Sequence, residues 1–270
     1  MRISAAAVAA AAAASFGRAA AGSASGEQLL LRPESELQSD CFGFPERNFD
    51  RLNCVKCQYG KSPHFMLSVG DPAVDFTLHD LDGSPWTLSE HLGGGKEEEG
   101  GKPVVLLWGM FTCPAYQGLG VTAPFERCSY WHENALVEEY SDRATFVHLY
   151  GPEPHPMAPD TNFDSGVVRP NYWSVTRQVL TYEARLEMAA RIRDMTHPQA
   201  VLLPDYLSPN PYGGANQPVW CTYAPGARTA TVIHPGDGTI WYQSSWLDTD
   251  ALAASLDEYW ATGGVREEPE

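Results

Sequence analysis

Short apolar runs alternate with segments of helical character through the middle of the chain. Residues 103–108, 144–150 and 200–203 are three such apolar runs, and the first of them is typical of a strand covered on both faces. A helix is predicted over 125–140, and another over 181–195, where apolar side chains cluster at helical spacing. Strands and helices that alternate in this way predict an α/β sandwich.

Shorter elements flank this region. Residues 75–80 alternate apolar and polar side chains, which indicates a half-buried strand, and residues 86–88 are its return strand. Residues 229–233 and 239–242 flank a Gly-containing turn and predict a hairpin. The amphipathic pattern of residues 250–260 predicts a closing helix.

The N-terminal part of the chain differs in composition from the rest. Residues 1–26 are dominated by alanine, carry no acidic residue and end in small side chains that suit peptidase cleavage. We interpret them as a signal or transit peptide, which predicts a secreted or organellar protein; a disordered Ala-rich tail is the alternative. Residues 27–68 are predicted to form a Cys-containing extension, 69–262 the folded domain and 263–270 an acidic tail.

The charge of the chain argues against two classes of partner. With 18 basic and 34 acidic residues, the formal net charge is −16. A surface of this sign repels the phosphates of nucleic acids and of anionic membranes. No stretch approaches the ~20 consecutive apolar residues that a membrane-spanning helix needs. We therefore expect no nucleic-acid partner, and no membrane association after processing.

A cysteine stands where the first apolar run ends. Cys113 is followed by Pro114, which suits the first position of a helix because it has no N–H group to leave unpaired. The free N–H groups and the dipole of such a helix lower a thiol pKa from ~8.5, which predicts a reactive thiol. A buried structural cysteine is the alternative. Tyr116 stands where a Cys-x-x-Cys motif has its second cysteine, so Cys113 acts alone or with a distant resolving cysteine.

Polar side chains also follow the second apolar run. Tyr150, Glu153 and His155 lie at or just after its end. Ligands of open α/β sheets collect outside the carboxyl ends of the strands, so these groups are expected to converge on Cys113. There His155 could donate or accept a proton, and Glu153 could orient or polarise it.

Both segments resemble those of a known enzyme family. Residues 109–114, Gly-Met-Phe-Thr-Cys-Pro, resemble the Gly-Ser-x-Thr-selenocysteine-Pro segment of the iodothyronine deiodinases. Residues 150–156, Tyr-Gly-Pro-Glu-Pro-His-Pro, resemble that family's Tyr-x-x-Glu-Ala-His-Pro segment. Residues 181–191 are similar to its Ser-Leu-Glu-Asp-Arg helix, and residues 232–243 to its closing hairpin. The resemblance implies a thioredoxin-like fold: a central mixed sheet flanked by helices, with an insertion after the second core strand.

The resemblance also implies an activity. Cys113 matches the catalytic selenocysteine, Thr112 belongs to the same motif, and Tyr150, Glu153 and His155 match active-site positions. The implied function is that of a thiol-dependent oxidoreductase acting on a small-molecule substrate, either an iodinated aromatic compound or another oxidised one. It implies no bound cofactor and an external thiol reductant; a homodimer is left open.

The sequence departs from the family pattern at three places. Cysteine replaces selenocysteine, Gln178 lies near the position of a second active-site histidine, and residues 244–246 read Ser-Ser-Trp instead of Gly-Gly-Arg. Residues 69–78 also resemble the start of peroxiredoxin-type domains, although those space Thr and Cys as Thr-x-x-Cys. Two alternatives follow: a peroxide or disulfide reductase of redoxin type, and a non-catalytic binding protein that keeps the fold.

Two further cysteines form a Cys-x-x-Cys in the extension. Cys54 and Cys57 could make half of a zinc site with Cys41 and His64, a redox pair that resolves Cys113, or a structural disulfide. Because there is no second clean pair, we favour a disulfide or a redox role and predict no bound metal.

The remaining candidates lie within the domain. Cys128 falls on the predicted helix 125–140 and is expected to pack in the core. Cys221 is the first candidate to resolve Cys113. Arg228 falls where thioredoxins place a cis-proline, and its charge could stabilise a thiolate.

Overall fold

The computed structural model of the chain describes residues 29–39, 67–92, 101–119, 127–157, 176–223 and 228–265. The predicted targeting segment and the extension residues Cys41, Cys54, Cys57 and His64 lie outside the described residues. Within the described part, no helix is long and apolar enough to cross a membrane.

A mixed five-stranded sheet forms the centre of the fold, and a separate two-stranded hairpin precedes it. The strands are β1 (Thr77–His79), β2 (Pro85–Thr87), β3 (Val104–Trp108), β4 (Thr145–Tyr150), β5 (Val201–Pro204), β6 (Ala230–Ile233) and β7 (Ile240–Ser244). β1 pairs with β2, and the main sheet has the order β5-β4-β3-β6-β7. β3, β4 and β5 are parallel, whereas β6 and β7 are antiparallel to their neighbours.

Six α-helices complete the described architecture. They are α1 (Leu88–His91), α2 (Pro114–Gln117), α3 (Tyr130–Tyr140), α4 (Tyr182–Arg193), α5 (Pro218–Tyr223) and α6 (Thr249–Ala261), and a 3₁₀ turn spans Glu34–Glu36. Parallel strands that connect through helices, followed by an antiparallel hairpin and a closing helix, make a thioredoxin-like fold. The predicted fold class is confirmed.

Strand β3 lies in the middle of the sheet because every one of its side chains is apolar. All five are buried, and the strand pairs with β4 on one side and β6 on the other. Its carboxyl end and that of β4 therefore lie side by side. This edge is where the sequence predicted a site.

The helix predicted over residues 125–140 is shorter in the structure, where it is α3. α3 begins at Tyr130 rather than near residue 125, because Ser129 has an extended backbone (φ −77°, ψ 162°). Cys128 therefore precedes the helix, and its predicted place on it is wrong, although its burial is confirmed. The helix predicted to begin just after Cys113 is present as α2, with Pro114 at its start.

Part of the predicted extension is bonded to the domain. The N–H of Leu30 donates to Asp237, and that of Arg32 donates to Ala73, while Arg32 accepts from Asp75, all at 2.8 Å. Residues 29–39 therefore add an outer segment to the domain, beside the turn that joins β6 to β7.

Candidate active site

Cys113 lies between the end of β3 and the start of α2. Its N–H donates to Met110 at 3.1 Å, and its carbonyl accepts from Gln117 at 3.0 Å. The N–H groups of Ala115 and Tyr116 favour the ionised form of its sulfur, although the side chain makes no capping hydrogen bond. The backbone arrangement expected for a helix-capping thiol is therefore present.

The sulfur itself is not in the environment that the sequence predicted. Cys113 is only 1% exposed. Burial raises the pKa of its thiol to about 11, against the opposing effects of the Tyr116 and Ala115 amides and the Arg228 charge. The prediction of a lowered thiol pKa is wrong, because the exclusion of water destabilises the thiolate by more than the two amides and the Arg228 charge stabilise it. In this conformation Cys113 is a protonated thiol at neutral pH.

Glu153 joins the two segments that the sequence singled out. Its buried carboxylate accepts hydrogen bonds from the Thr112 N–H at 2.7 Å and from the Thr112 hydroxyl at 2.6 Å. It also accepts from the Phe111 N–H at 3.2 Å and from the Tyr150 hydroxyl at 2.6 Å. The carboxylate thus holds the two residues before Cys113 against the end of β4.

Gln178 in turn holds the backbone of Glu153. The Glu153 N–H donates to the Gln178 side chain at 3.0 Å, and the Gln178 amide donates back to the Glu153 carbonyl at 2.8 Å. Burial raises the pKa of Glu153, and the hydrogen bonds from Thr112 and Tyr150 oppose that shift. Sequence reasoning noted Gln178 only for the histidine it replaces, whereas the structure gives it a positioning role.

His155 differs from the other predicted residues in its exposure. Its N–H donates to the Thr112 hydroxyl at 3.1 Å, and its side chain is partly exposed. Tyr150, Glu153 and Thr112 are fully buried. Burial also raises the pKa of the Tyr150 hydroxyl, and the nearby Glu153 raises it further. Only His155 among these four groups reaches solvent, whereas the polar atoms of the others bind one another.

A second buried group, which sequence reasoning missed in part, lies next to Cys113. We call Glu133, His148 and Arg228 the charge cluster. One Glu133 oxygen lies 2.6 Å from His148 Nδ1, and the other accepts from Arg228 at 2.9 Å. Burial alone would raise the pKa of Glu133, but the charges and hydrogen bonds of His148 and Arg228 lower it to about 2.

Arg228 ties this cluster to the backbone around Cys113. Its guanidinium donates to the carbonyl of Cys128 at 2.9 Å and to that of Trp108, the last residue of β3. It also lies over the Tyr116 ring, 4.9 Å from the ring centre. The sequence selected Arg228 by its place before β6, and the structure puts its charge where it acts on Cys113.

The other two cysteines of the described residues, Cys128 and Cys221, differ in their bonding state. Cys113 and Cys128 are not in a disulfide, whereas Cys221 is disulfide-bonded. The disulfide partner of Cys221 is therefore not Cys113. A resolving role for Cys221 stays a prediction and would require thiol–disulfide exchange. Among the described residues, no three His, Cys, Asp or Glu side chains form a group that could hold a metal ion.

A cavity of about 360 Å³ lies elsewhere in the fold. Its lining includes Thr77 and His79 of β1 and the tyrosines Tyr206 and Tyr212, and none of the predicted site residues. His79 stacks on Tyr212 and bonds the Tyr206 hydroxyl through Nδ1 at 2.6 Å.

Comparison with protein-family models and with curated proteins finds no match. Solved structures of similar fold include the exposed lipoprotein thioredoxin Etrx1 of Streptococcus pneumoniae, at 15% identity over 68% of this chain and 99% of that one (TM-score 0.41). The peroxidoxin BcpB of Mycobacterium tuberculosis is 22% identical over 74% and 99% (TM-score 0.35). Yeast Sco1 is 16% identical over 78% and 100% (TM-score 0.39). At these identities the likeness concerns the fold alone.

Proposed function

We propose that the protein is a thiol-dependent oxidoreductase of the iodothyronine deiodinase type, with Cys113 as its nucleophile. The observation that carries this proposal is the Glu153 carboxylate, which binds residues 111–112 to the end of β4. The two segments that resemble the deiodinases are far apart in sequence and meet through this side chain. The proposed substrate is a small iodinated aromatic compound or another oxidised molecule.

The reaction would proceed through the sulfur of Cys113. The thiolate attacks the iodine of an aryl iodide, so that an S–I bond forms while the C–I bond breaks and the ring carbon takes a proton. His155 is our candidate for the donor of that proton. It is the one group among Thr112, Tyr150, Glu153 and His155 that reaches solvent. An external thiol then attacks the sulfur and releases iodide, and a second thiol frees Cys113. Two thiols are oxidised to a disulfide as C–I is reduced to C–H.

The proposal gives different tasks to the residues around the sulfur. Glu153 and Tyr150 are buried and bonded to each other and to residues 111–112, so they position the nucleophile rather than exchange protons with solvent. Because the thiol is 1% exposed, the proposed reaction also requires a conformational step that exposes it to substrate.

Iodide release from iodotyrosine or iodothyronine, with dithiothreitol as reductant, tests the proposal. We expect turnover by the wild type, loss of turnover in Cys113→Ala, and retained turnover in Cys128→Ala, which changes another buried cysteine that is not in a disulfide. Equal rates for wild type and Cys113→Ala would contradict the proposal. Hydrogen peroxide consumption that depends on Cys113, without iodide release, would instead favour a redoxin-type peroxidase.

A non-catalytic binding protein is a second candidate, and two observations favour it. Burial raises the pKa of the Cys113 thiol to about 11, and the cavity at His79 and Tyr206 lies apart from that thiol. Two results together would support this alternative. The protein would turn over none of these substrates, and binding of a ligand would be weakened by His79→Ala but not by Cys113→Ala.

A further inference from the structure

Strand β1 and the loop after β5 bring together aromatic side chains that the proposed reaction does not use. The rings of His79 and Tyr212 are stacked with their centres 3.5 Å apart, and the Tyr206 ring lies 5.9 Å from that of Tyr212. The Tyr206 hydroxyl is hydrogen-bonded to His79 Nδ1 at 2.6 Å. Tyr182 packs edge-on against both tyrosines, at 5.6 and 6.1 Å. We call the rings of His79, Tyr206 and Tyr212 the aromatic wall.

The aromatic wall lines the cavity of about 360 Å³, a volume within the range of ~300–1,000 Å³ that small-molecule sites have. Tyr206 closely follows Pro204, the last residue of β5, and β5 is parallel to β4. This wall therefore lies beyond the carboxyl end of a parallel strand, where α/β proteins bind their ligands. Both the size and the position of the cavity fit a site for a small molecule.

Another part of the lining comes from the N-terminal segment of the described chain. Glu34, Leu37 and Ser39 line the cavity together with the aromatic wall. The N–H of Gln38 donates to the hydroxyl of Thr222, a residue of α5, at 2.9 Å. The segment that carries Glu34 is therefore bonded to the domain beside the cavity.

The charges around the cavity favour one class of ligand. Among the described residues of the lining, Glu34 is the acidic one, and none is Lys or Arg. Burial lowers the pKa of His79 against the opposing effect of Asp80, so that its ring is neutral at neutral pH. Arg32 pairs with Glu36 at 2.5 Å, and Glu34 has no ion-pair partner in the described part of the chain. The lining therefore fits a cation and offers no counter-charge to a carboxylate or a phosphate.

We propose that this cavity binds a small aromatic amine in its protonated form. The ring of the amine packs on Tyr206 and Tyr212 of the aromatic wall, as aromatic rings do in stacked or edge-to-face pairs. Its ammonium group pairs with the carboxylate of Glu34, and the net charge of −16 on the chain favours the approach of a cation. The site is separate from that of Cys113, so the inference goes beyond the proposed reaction.

Three phenols that differ mainly in charge test the role of Glu34. They are tyramine, a cation, 4-ethylphenol, which is neutral, and 3-(4-hydroxyphenyl)propionate, an anion. Isothermal titration calorimetry of the full chain should show the tightest binding for tyramine and the weakest for the anion. Because Glu34 is exposed, Glu34→Gln should weaken the binding of tyramine by only about threefold and leave that of 4-ethylphenol unchanged. Glu187→Gln is the matched control, since Glu187 is also exposed but lies outside the cavity.

A second variant and a spectroscopic measurement test the place of binding. Tyr212 is 43% exposed, so Tyr212→Leu removes a ring of the aromatic wall without opening the core. It should weaken the binding of tyramine and of 4-ethylphenol alike, by about fivefold. In nuclear magnetic resonance spectra, tyramine should shift the amide signals of Gly213 and Gly214, which line the cavity. Cys113→Ala should bind tyramine as the wild type does.

A preference for tyramine over 4-ethylphenol that disappears in Glu34→Gln, together with the shifts at Gly213 and Gly214, supports the proposal. Equal binding of the three phenols, unchanged binding of tyramine in Glu34→Gln, or no binding of tyramine at millimolar concentration would overturn it. Loss of tyramine binding in Cys113→Ala would assign the amine to the thiol and overturn it as well. No step of this test depends on iodide release, so the failure of the proposed reaction and the failure of this inference are distinguishable.

Discussion

Replacing Glu153 by Gln removes one acceptor from a carboxylate that uses both. One oxygen accepts from the Phe111 N–H and the Tyr150 hydroxyl, and the other from the N–H and the hydroxyl of Thr112. A glutamine amide has one oxygen and one NH₂ group. In either orientation of the amide, its NH₂ group faces one backbone N–H and one hydroxyl that had an acceptor before.

The expected loss follows from these contacts. A hydroxyl can rotate and accept from the new NH₂ group, but the backbone N–H is left without an acceptor in a site that excludes water. A hydrogen bond to a charged group contributes about 1.5–3 kcal/mol, and the remaining bonds lose their charge assistance. Relief of carboxylate desolvation offsets part of this. We expect a net loss of about 2–4 kcal/mol, a large share of the ~5–15 kcal/mol that stabilises a domain.

Urea unfolding followed by tryptophan fluorescence measures this loss. Glu187→Gln is the control, because Glu187 is exposed on α4 and undergoes the same chemical change. The control should stay within about 0.5 kcal/mol of the wild type. If Glu153→Gln matched it, the carboxylate would not hold residues 111–112, and the main support for the proposed function would be lost.

Three further changes probe the surroundings of the site. Burial would raise the pKa of Glu133, but Arg228 and His148 lower it from 4.5 to about 2. Its contribution to the free energy of unfolding, roughly 3 kcal/mol, is therefore present above pH 4.5 and lost as the pH falls through 2. A Glu133→Gln variant with the same acid dependence of unfolding as the wild type would contradict this. Gly109→Ala places a Cβ 2.5 Å from Tyr116 and 2.6 Å from His148, which should cost about 1–3 kcal/mol in urea unfolding; an unchanged midpoint would show that the rings move freely. Asp248→Ala removes the cap that accepts two N–H groups at the start of α6 and should cost about 1 kcal/mol, seen as a lower melting temperature; equal melting would exclude a capping role.

Several parts of the fold follow from local sequence. A wholly apolar run such as 103–108 is compatible with a central strand and with little else in an α/β protein, and β3 occupies that place. The order Cys-Pro likewise predicts a helix start, which α2 confirms. These features depend on neighbouring residues, so the sequence displays them directly.

Burial of the Cys113 sulfur could not be predicted in the same way. The helix-capping argument concerns the backbone next to the sulfur, whereas the thiol pKa depends mainly on what covers it. The covering side chains come from distant segments of the chain. The same holds for the charge cluster, in which Glu133 lies 15 residues from His148 and 95 from Arg228. The available signal was a histidine inside the apolar strand β4.

The hydrogen-bond partners of Glu133 and Glu153, and not their burial, account for the opposite shifts of their pKa values. Both carboxyl groups are at most 2% exposed. The partners of Glu153 are neutral donors, and its pKa stays raised by burial despite their hydrogen bonds. The partners of Glu133 are cations, and they lower its pKa to about 2 against the same effect of burial. Glu153 therefore holds the segment before Cys113 against the end of β4 through neutral donors, while Glu133 joins Arg228 and His148. Changing Glu153 should therefore weaken the attachment of residues 111–112, whereas changing Glu133 should alter the acid dependence of unfolding.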